Sequence, residues 1–239
     1  MASIAGGFLG SDGARLPVRD TSGILNRMTT PEYQKLAERG DSQPIEVANL
    51  SVVSEQNASP EVALLYARFR ENFGRPQIPG ILQCFATHPP LLEHMMGLAQ
   101  SMLFIDGALD RQHKEMLSAF VSAQNQCAYC TDSHGFSFRV HGGSPEALEA
   151  VMTCDLESSA ITSAQRVLLG FARKVTDDSR GITPADIEAL RSAGWSDLQI
   201  AETIHVTALF ASFNRVVNAF GLPSQELLAI YTDGKEIHD

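Results

Sequence analysis

From Ser59 to Pro223 the apolar positions of the chain recur at helical spacing, and the polar breaks between them carry helix-starting residues. Ser59-Pro60-Glu61 opens a helix whose inner face is Val62, Leu65, Tyr66 and Phe69. Pro89-Pro90 opens a second, carrying Leu91, Leu92, Met95, Leu98 and Met102. Asp110 caps a third that runs to about Gln124, and a fourth spans roughly Ala128 to His141, where Gly142-Gly143 stops it. Ser144-Pro145 starts a short helix, Ala160 to Val175 forms another, and Thr183-Pro184 opens one that ends near Gly194. The last long helix begins at Ser196-Asp197-Leu198-Gln199, which has capping-box spacing. Its stripe of Ile200, Ile204, Thr207, Phe210, Phe213, Val217 and Phe220 runs to Gly221-Leu222-Pro223. No stretch sustains the period-two alternation of a strand, so the expected fold is all-α.

Residues 1–58 are mixed in character and read as an N-terminal extension, with 59–239 as the helical domain. One short helix fits residues 31–39, capped by Thr30 and started by Pro31. A weak internal echo lies over the domain. A shift of about 84 residues lays Val121 to Val140 on the last long helix, with Cys130 on Asn214 and His134 on Asn218. Two related helical-hairpin halves, only one of them chemically equipped, would produce such an echo.

Composition narrows the partners. The 239 residues carry 18 Lys and Arg against 28 Asp and Glu, a formal charge of −10, which argues against a nucleic-acid or anionic-membrane surface. With 44% apolar and 19% charged residues the chain can bury a sizeable core. Met1 to Phe8 lacks the basic segment and continuous apolar run of a secretory signal, and no window approaches roughly 18 uninterrupted apolar residues. A cytoplasmic, reducing location is therefore expected. Four cysteines do not make a disulfide scaffold there, and a closely spaced pair is more often catalytic or metal-binding.

The chemistry concentrates in Cys127-Ala128-Tyr129-Cys130-Thr131-Asp132-Ser133-His134. A Cys-x-x-Cys at a helix start sits where unsatisfied N–H groups and the positive dipole end favour thiolate. Cys130 and His134 are four apart, one turn from each other on one face, so the imidazole can accept the Cys130 proton. Glu115 lies on the preceding helix. If the chain turns near Asn125, Glu115 is ten residues back and His134 nine forward, nearly opposite each other across a hairpin. Ser118, Ala119 and Ser122 between them are small enough to let the helices approach. A carboxylate there would orient His134, directly or through a water. The helix-end position favours Cys127 as the attacking thiol and the neighbouring imidazole favours Cys130; the reading adopted takes Cys130 as nucleophile and Cys127 as resolving thiol.

Glu-x11-Cys-x-x-Cys-x-x-x-His resembles the active-site motif of the alkylhydroperoxidase D-like (AhpD-like) branch of the carboxymuconolactone decarboxylase family. Val121 to Cys127, Phe213-Asn214-Arg215 and Gly194-Trp195-Ser196-Asp197 resemble peroxidase-related members of that family, and the likeness covers roughly Pro60 to Pro223. It implies an all-helical homo-oligomer that reduces a small-molecule hydroperoxide with its dithiol and is itself reduced by an external dithiol or reductase protein. Cys127 and Cys130 would be the redox pair, His134 the base and Glu115 the start of a proton relay, with no cofactor and no metal. The family's alkylhydroperoxidases carry a second His immediately before the second cysteine. This chain has Tyr129 there, a phenol with an ordinary pKa of about 10 and so a weak base that can still pass a proton.

Competing readings remain at this level. Cys127, Cys130 and His134 with His141 or Glu115 form a plausible ligand set for a zinc-stabilised assembly module without catalysis. A dithiol–disulfide adaptor, or a decarboxylase or isomerase on a lactone as elsewhere in the superfamily, is also compatible. His141 reads as a helix C-cap, His205 as a core histidine and His113 as a surface one. Cys84 and Cys154 read as packed free thiols, Met95, Met96 and Met102 as helix-interface residues, and Arg215 as half of a buried ion pair or a subunit contact.

Overall fold

The computed structural model describes residues 31–38, 45, 47–73 and 75–231, and among these all regular structure is helical. The first thirty residues of the expected extension lie outside the described residues, as does Arg39 at the end of its predicted helix. That helix, α1, is Pro31–Glu38. The domain then runs through α2 (Pro60–Phe73), α3 (Gly80–Phe85), α4 (Pro89–Ala99), α5 (Arg111–Gln124) and α6 (Ala128–Val140). It continues with α7 (Pro145–Met152), α8 (Ser163–Asp178), α9 (Pro184–Ser192) and α10 (Asp197–Phe220), and closes on a 3-10 turn, Leu227–Tyr231.

Caps account for most boundaries. Asp110 accepts from the His113 N–H, Ser144 from the Ala147 N–H, and Ser196 and Gln199 form a reciprocal capping box at the start of α10. At the far end of α10, Gly221 is left-handed at φ 77° and closes the helix as expected. The start of α8 differs from expectation. Thr162 and Gln165 make a second reciprocal capping box, which moves the first turn from Ala160 to Ser163. The short helix α3 had no counterpart in the pattern, because Gly80, Leu82, Gln83, Cys84 and Phe85 are all buried and leave no polar face to reveal a period.

The core forms around α5. Nine consecutive residues, Lys114 to Ser122, are buried, so this helix is enclosed by α6, α7, α8 and α10. Leu117, Phe120 and Val121 meet Leu168 and Leu169 of α8 and Val206 and Phe210 of α10 in one apolar cluster. The polar members of α5 are bonded internally: the Ser118 hydroxyl donates to the Lys114 carbonyl at 2.6 Å, and Lys114 donates to the Ile105 carbonyl at 2.9 Å.

Four expectations about facing are corrected. On α4 the buried positions are Leu92 and Met96, while Leu91 and Leu98 are exposed; both sides of the helix are apolar, so periodicity could not choose between them. On α10 the inward face is Thr203, Val206, Thr207 and Phe210, which turns Ile204 and His205 outward, so His205 is not a core histidine. Arg215 is exposed and donates to the Ala211 carbonyl within its own helix. His113 is half-buried, bonded to Asp110 and edge-on to the Trp195 ring. The internal echo also has a limit: where the α5–α6 hairpin turns, the shifted segment continues as the single helix α10.

Candidate active site

The turn between α5 and α6 sets the geometry. Asn125 ends α5, Gln126 takes a left-handed φ of 53°, and the N–H groups of Gln126 and Cys127 bond back to Ala123 and Ser122 at 3.0 and 2.9 Å. This is a Schellman closure with a non-glycine residue at its left-handed position. Cys127 is at once its last residue and the N-cap of α6, since the Thr131 N–H bonds to the Cys127 carbonyl at 2.9 Å. The first sulfur of the pair is thereby pinned where the free N–H groups of α6 point.

Across the hairpin, Glu115 and His134 meet directly. Glu115 Oε2 lies 2.6 Å from His134 Nδ1, with no water needed between them. The other carboxylate oxygen, Oε1, takes the guanidinium of Arg111, one turn earlier on α5, at 2.5 Å. Glu115 is wholly buried. Burial alone would raise its pKa, but Arg111 and His134 outweigh that and hold the carboxyl down at about 2. An ionised carboxylate on Nδ1 requires that nitrogen to carry its hydrogen, which leaves Nε2 as the ring position available for proton exchange. The ring packs edge-on to Phe210 at 4.5 Å and keeps 18% of its side-chain surface exposed.

Cys127 and Cys130 are reduced and buried, at 0% and 2% exposure. Negative charge is favoured on Cys127: the thiol of Cys130 directed at it lowers its pKa most, burial opposes this, and the Cys130 N–H and the Asn214 amide add to the lowering. Cys130 is pushed far up, first by donating to Cys127 and then by burial. The direction of these shifts favours Cys127 as the thiolate of the pair, against the reading that takes Cys130 as nucleophile. Among the described residues the hydrogen bond of the His134 imidazole goes to Glu115 and not to a sulfur.

The sulfurs sit in an apolar cluster with Cys84, Tyr129, Val217 and Leu222, and Ile45, Val47 and Val52 pack against it. The chain at residues 47–53 forms a strap over this cluster. Ala48 and Asn49 donate backbone N–H groups to Gly221 and Phe220, and Val53 donates to Gln83. Tyr129 lies under the same cover, its hydroxyl 3.4 Å from the Ile81 N–H, and burial raises its pKa, so the phenol stays protonated. Cys84 is a packed thiol as expected, pushed up to about 12 by burial.

Two residues that the sequence reading left without a role belong to this site. Arg111 is visible in retrospect as the i−4 partner of Glu115. Asn214, from the distant helix α10, is 1% exposed; its Nδ2 donates to the Ser122 hydroxyl at 3.0 Å and its Oδ1 accepts from Asn125 Nδ2 at 3.0 Å. The ligand set imagined for zinc does not assemble. Glu115 and His134 are committed to each other and to Arg111, and among the described residues no three His, Cys, Asp or Glu groups converge to hold a metal ion. His141 caps α6 and its charge acts on Glu115. No helix of the described residues is long and apolar enough to cross a membrane.

Known proteins give the same outline. Residues 89–174, which hold Glu115, both cysteines and His134, match the carboxymuconolactone decarboxylase family. The structure is similar to that of a peroxidase-related protein from Silicibacter sp. TM1040, at 28% identity over 77% of this chain and 95% of that one, with a TM-score of 0.66. It is likewise similar to an alkylhydroperoxidase AhpD core protein from Ralstonia eutropha JMP134, at 27% identity over 78% and 96% of the two chains, with a TM-score of 0.68. Sestrin-1 of Xenopus laevis is 21% identical over 142 residues, 59% of this chain, and the chain spans only 28% of that relative's length. Residues 89–174 thus carry the pattern of the carboxymuconolactone decarboxylase family, and the chain has AhpD-like peroxidase-related proteins as its structural neighbours.

Proposed function

We propose that this protein is a thiol-dependent hydroperoxide reductase. The observation that carries the reading is the dithiol at the start of α6, one turn from an imidazole whose Nδ1 is fixed on an ionised carboxylate. A lone buried dithiol needs no such relay, whereas cleavage of an O–O bond does, because the departing alkoxide must be given a proton.

The steps balance with the groups present. The Cys127 thiol gives up its proton, which passes by way of the Cys130 thiol to His134, and its thiolate attacks the terminal oxygen of ROOH. The S–O bond forms, the O–O bond breaks, and RO⁻ leaves as ROH with the proton returned from His134. Cys127 is then a sulfenic acid. The Cys130 thiol attacks that sulfur, water departs, and a Cys127–Cys130 disulfide remains. An external dithiol restores the pair by exchange and leaves as its own disulfide. Glu115 orients His134 and stabilises its transient charge, and Arg111 keeps Glu115 ionised. Tyr129 closes the sulfur chamber with a protonated hydroxyl. The exposed Leu91 and Leu98 on α4 suit a homo-oligomeric contact.

Stopped-flow oxidation of the reduced protein by organic hydroperoxides, with thiol quantitation, tests the class. Rapid loss of two thiols per chain is expected. Thiols that survive hydroperoxide yet exchange readily with disulfides would replace this reading with that of a dithiol–disulfide adaptor.

A further inference from the structure

We propose that Asn214 is a positioning residue of the dithiol: anchored on Ser122 and Asn125, it fixes the turn that carries Cys127 and presents an amide N–H to the sulfurs. The proposal rests on the pair being the reacting group, and it is independent of which oxidant the pair meets.

The anchoring is specific. Asn214 Oδ1 accepts from Asn125 Nδ2, which fixes the amide so that Nδ2 faces the opposite way. One of the two Nδ2 hydrogens goes to the Ser122 hydroxyl at 3.0 Å. Ser122 in turn supplies the carbonyl that receives the Cys127 N–H at 2.9 Å. Asn218, one turn further along α10, donates to the Asn125 carbonyl at 3.3 Å. Helix α10 therefore holds the hairpin turn on both sides through two asparagines. These are the positions that the 84-residue echo pairs with Cys130 and His134. In this chain they act on the equipped hairpin instead of forming a second one.

The Asn214 amide lowers the pKa of both Cys127 and Cys130, the part we assign to its second Nδ2 hydrogen. An amide is the suitable group here. It donates without carrying charge, so it stabilises a thiolate in an apolar chamber without the desolvation cost of a lysine or arginine. A donor to the thiolate stabilises the reduced pair more than the disulfide, which has no negative charge to receive it, and so makes the disulfide more oxidising. The other titratable groups facing the pair are Cys84 from α3 and Tyr129 from α6, both raised by burial and protonated across the neutral range, with His134 a turn beyond. They do not supply this charge.

The test compares Asn214→Asp and Asn214→Ala with the wild type by the pH profile of iodoacetamide alkylation of the reduced protein. Equilibration against a glutathione redox buffer reads the disulfide stability. Asp keeps the shape, still accepts from Asn125 and can accept from the Ser122 hydroxyl, but replaces the donor with negative charge. Both variants are expected to shift the alkylation midpoint upward by a pH unit or more, slowing alkylation at pH 7 about tenfold. Both are expected to favour the disulfide about tenfold in the redox buffer, with Asp the stronger. A lowered melting temperature with an unmoved pH profile would reduce Asn214 to a packing residue and overturn the proposal. In the wild-type protein the side-chain amide resonance of Asn214 should move with the first thiol titration, and a resonance that stays still would overturn it without any variant. Neither alkylation nor the resonance uses peroxide, so failure here and failure of peroxide reduction are separate results.

Discussion

Glu115 and His134 meet at 2.6 Å across the α5–α6 hairpin, with Arg111 on the second carboxylate oxygen, so a single buried acid is shared between a permanent cation and a titratable ring. The arrangement makes Glu115 a structural keystone as well as a candidate relay. Removing it leaves Arg111, 7% exposed, with an uncompensated charge above the Phe104 ring.

The acid limb of stability should report this. The carboxyl is held at about 2 in the folded protein against an ordinary value of 4.5. A lowered folded pKa gives stability that is present above the unfolded value and is lost as pH falls from about 5 to about 2. The contribution is on the order of 3 kcal/mol at neutral pH. Glu115→Gln should be less stable than wild type by roughly that amount at pH 7, and the difference should narrow steadily toward pH 2. Urea unfolding at a series of pH values checks it. A constant difference would mean that the charge of Glu115 is not what holds the hairpin.

His134 carries the next expectation. If its Nε2 takes the thiol proton, His134→Ala raises the pKa of the reactive thiol by a unit or more and slows alkylation at pH 7 about tenfold. The variant keeps Arg111 on Glu115, so its fold should suffer less than that of Glu115→Gln. Iodoacetamide alkylation across pH 5 to 10 measures the shift, and an unchanged profile would remove the imidazole from the relay.

Much of this site was legible because it is local. The hairpin follows from two periodic helices and a turn, and counting along it from Asn125 places Glu115 opposite His134. Arg111 obeys the same helical arithmetic. Asn214 does not: it reaches the hairpin turn at Ser122 from a helix about 90 residues away, and only packing brings it there. The choice between the two thiols turns on contacts that are not sequence neighbours either. Adjacency to His134 pointed to Cys130, whereas the thiol-to-thiol contact and the amide act together in favour of Cys127. The facing of α4 was hidden by apolar residues on both of its sides, and that of His205 by its position beside an equally apolar Ile204.

The strap over the dithiol is tied to the end of α10 at Gly221. A Cβ there would stand 2.9 Å from the Ala48 Cβ and 3.1 Å from the Ala48 nitrogen, on a backbone already at φ 77°. Gly221→Ala should therefore destabilise by about 1–2 kcal/mol and loosen the Ala48–Gly221 bond first. Because Val47 and Val52 cover the sulfurs, the variant should also alkylate faster than wild type at a pH where both are equally ionised. Chemical unfolding gives the first quantity and thiol kinetics the second. Destabilisation without faster alkylation would show that access to the sulfurs does not run beneath the strap.

The two cysteines should separate cleanly when each is replaced. With the first thiolate on Cys127, Cys130→Ser is expected to react once with hydroperoxide and stop at a sulfenic acid on Cys127, since the resolving thiol is gone. A serine hydroxyl can still donate to Cys127, so the pKa of that thiol should rise by less than it would on removing the donor altogether. Cys127→Ser leaves the thiol that is the donor of the pair, placed inside the first turn of α6 and not at its N-cap. Its pKa stays raised by burial, and its oxidation at neutral pH should be slower by two orders of magnitude or more. Dimedone trapping and mass spectrometry of the two variants after brief exposure to hydroperoxide give the answer. A sulfenic acid that forms readily on Cys130 in Cys127→Ser, and not on Cys127 in Cys130→Ser, would reverse the order and make the imidazole the decisive neighbour instead of the helix end.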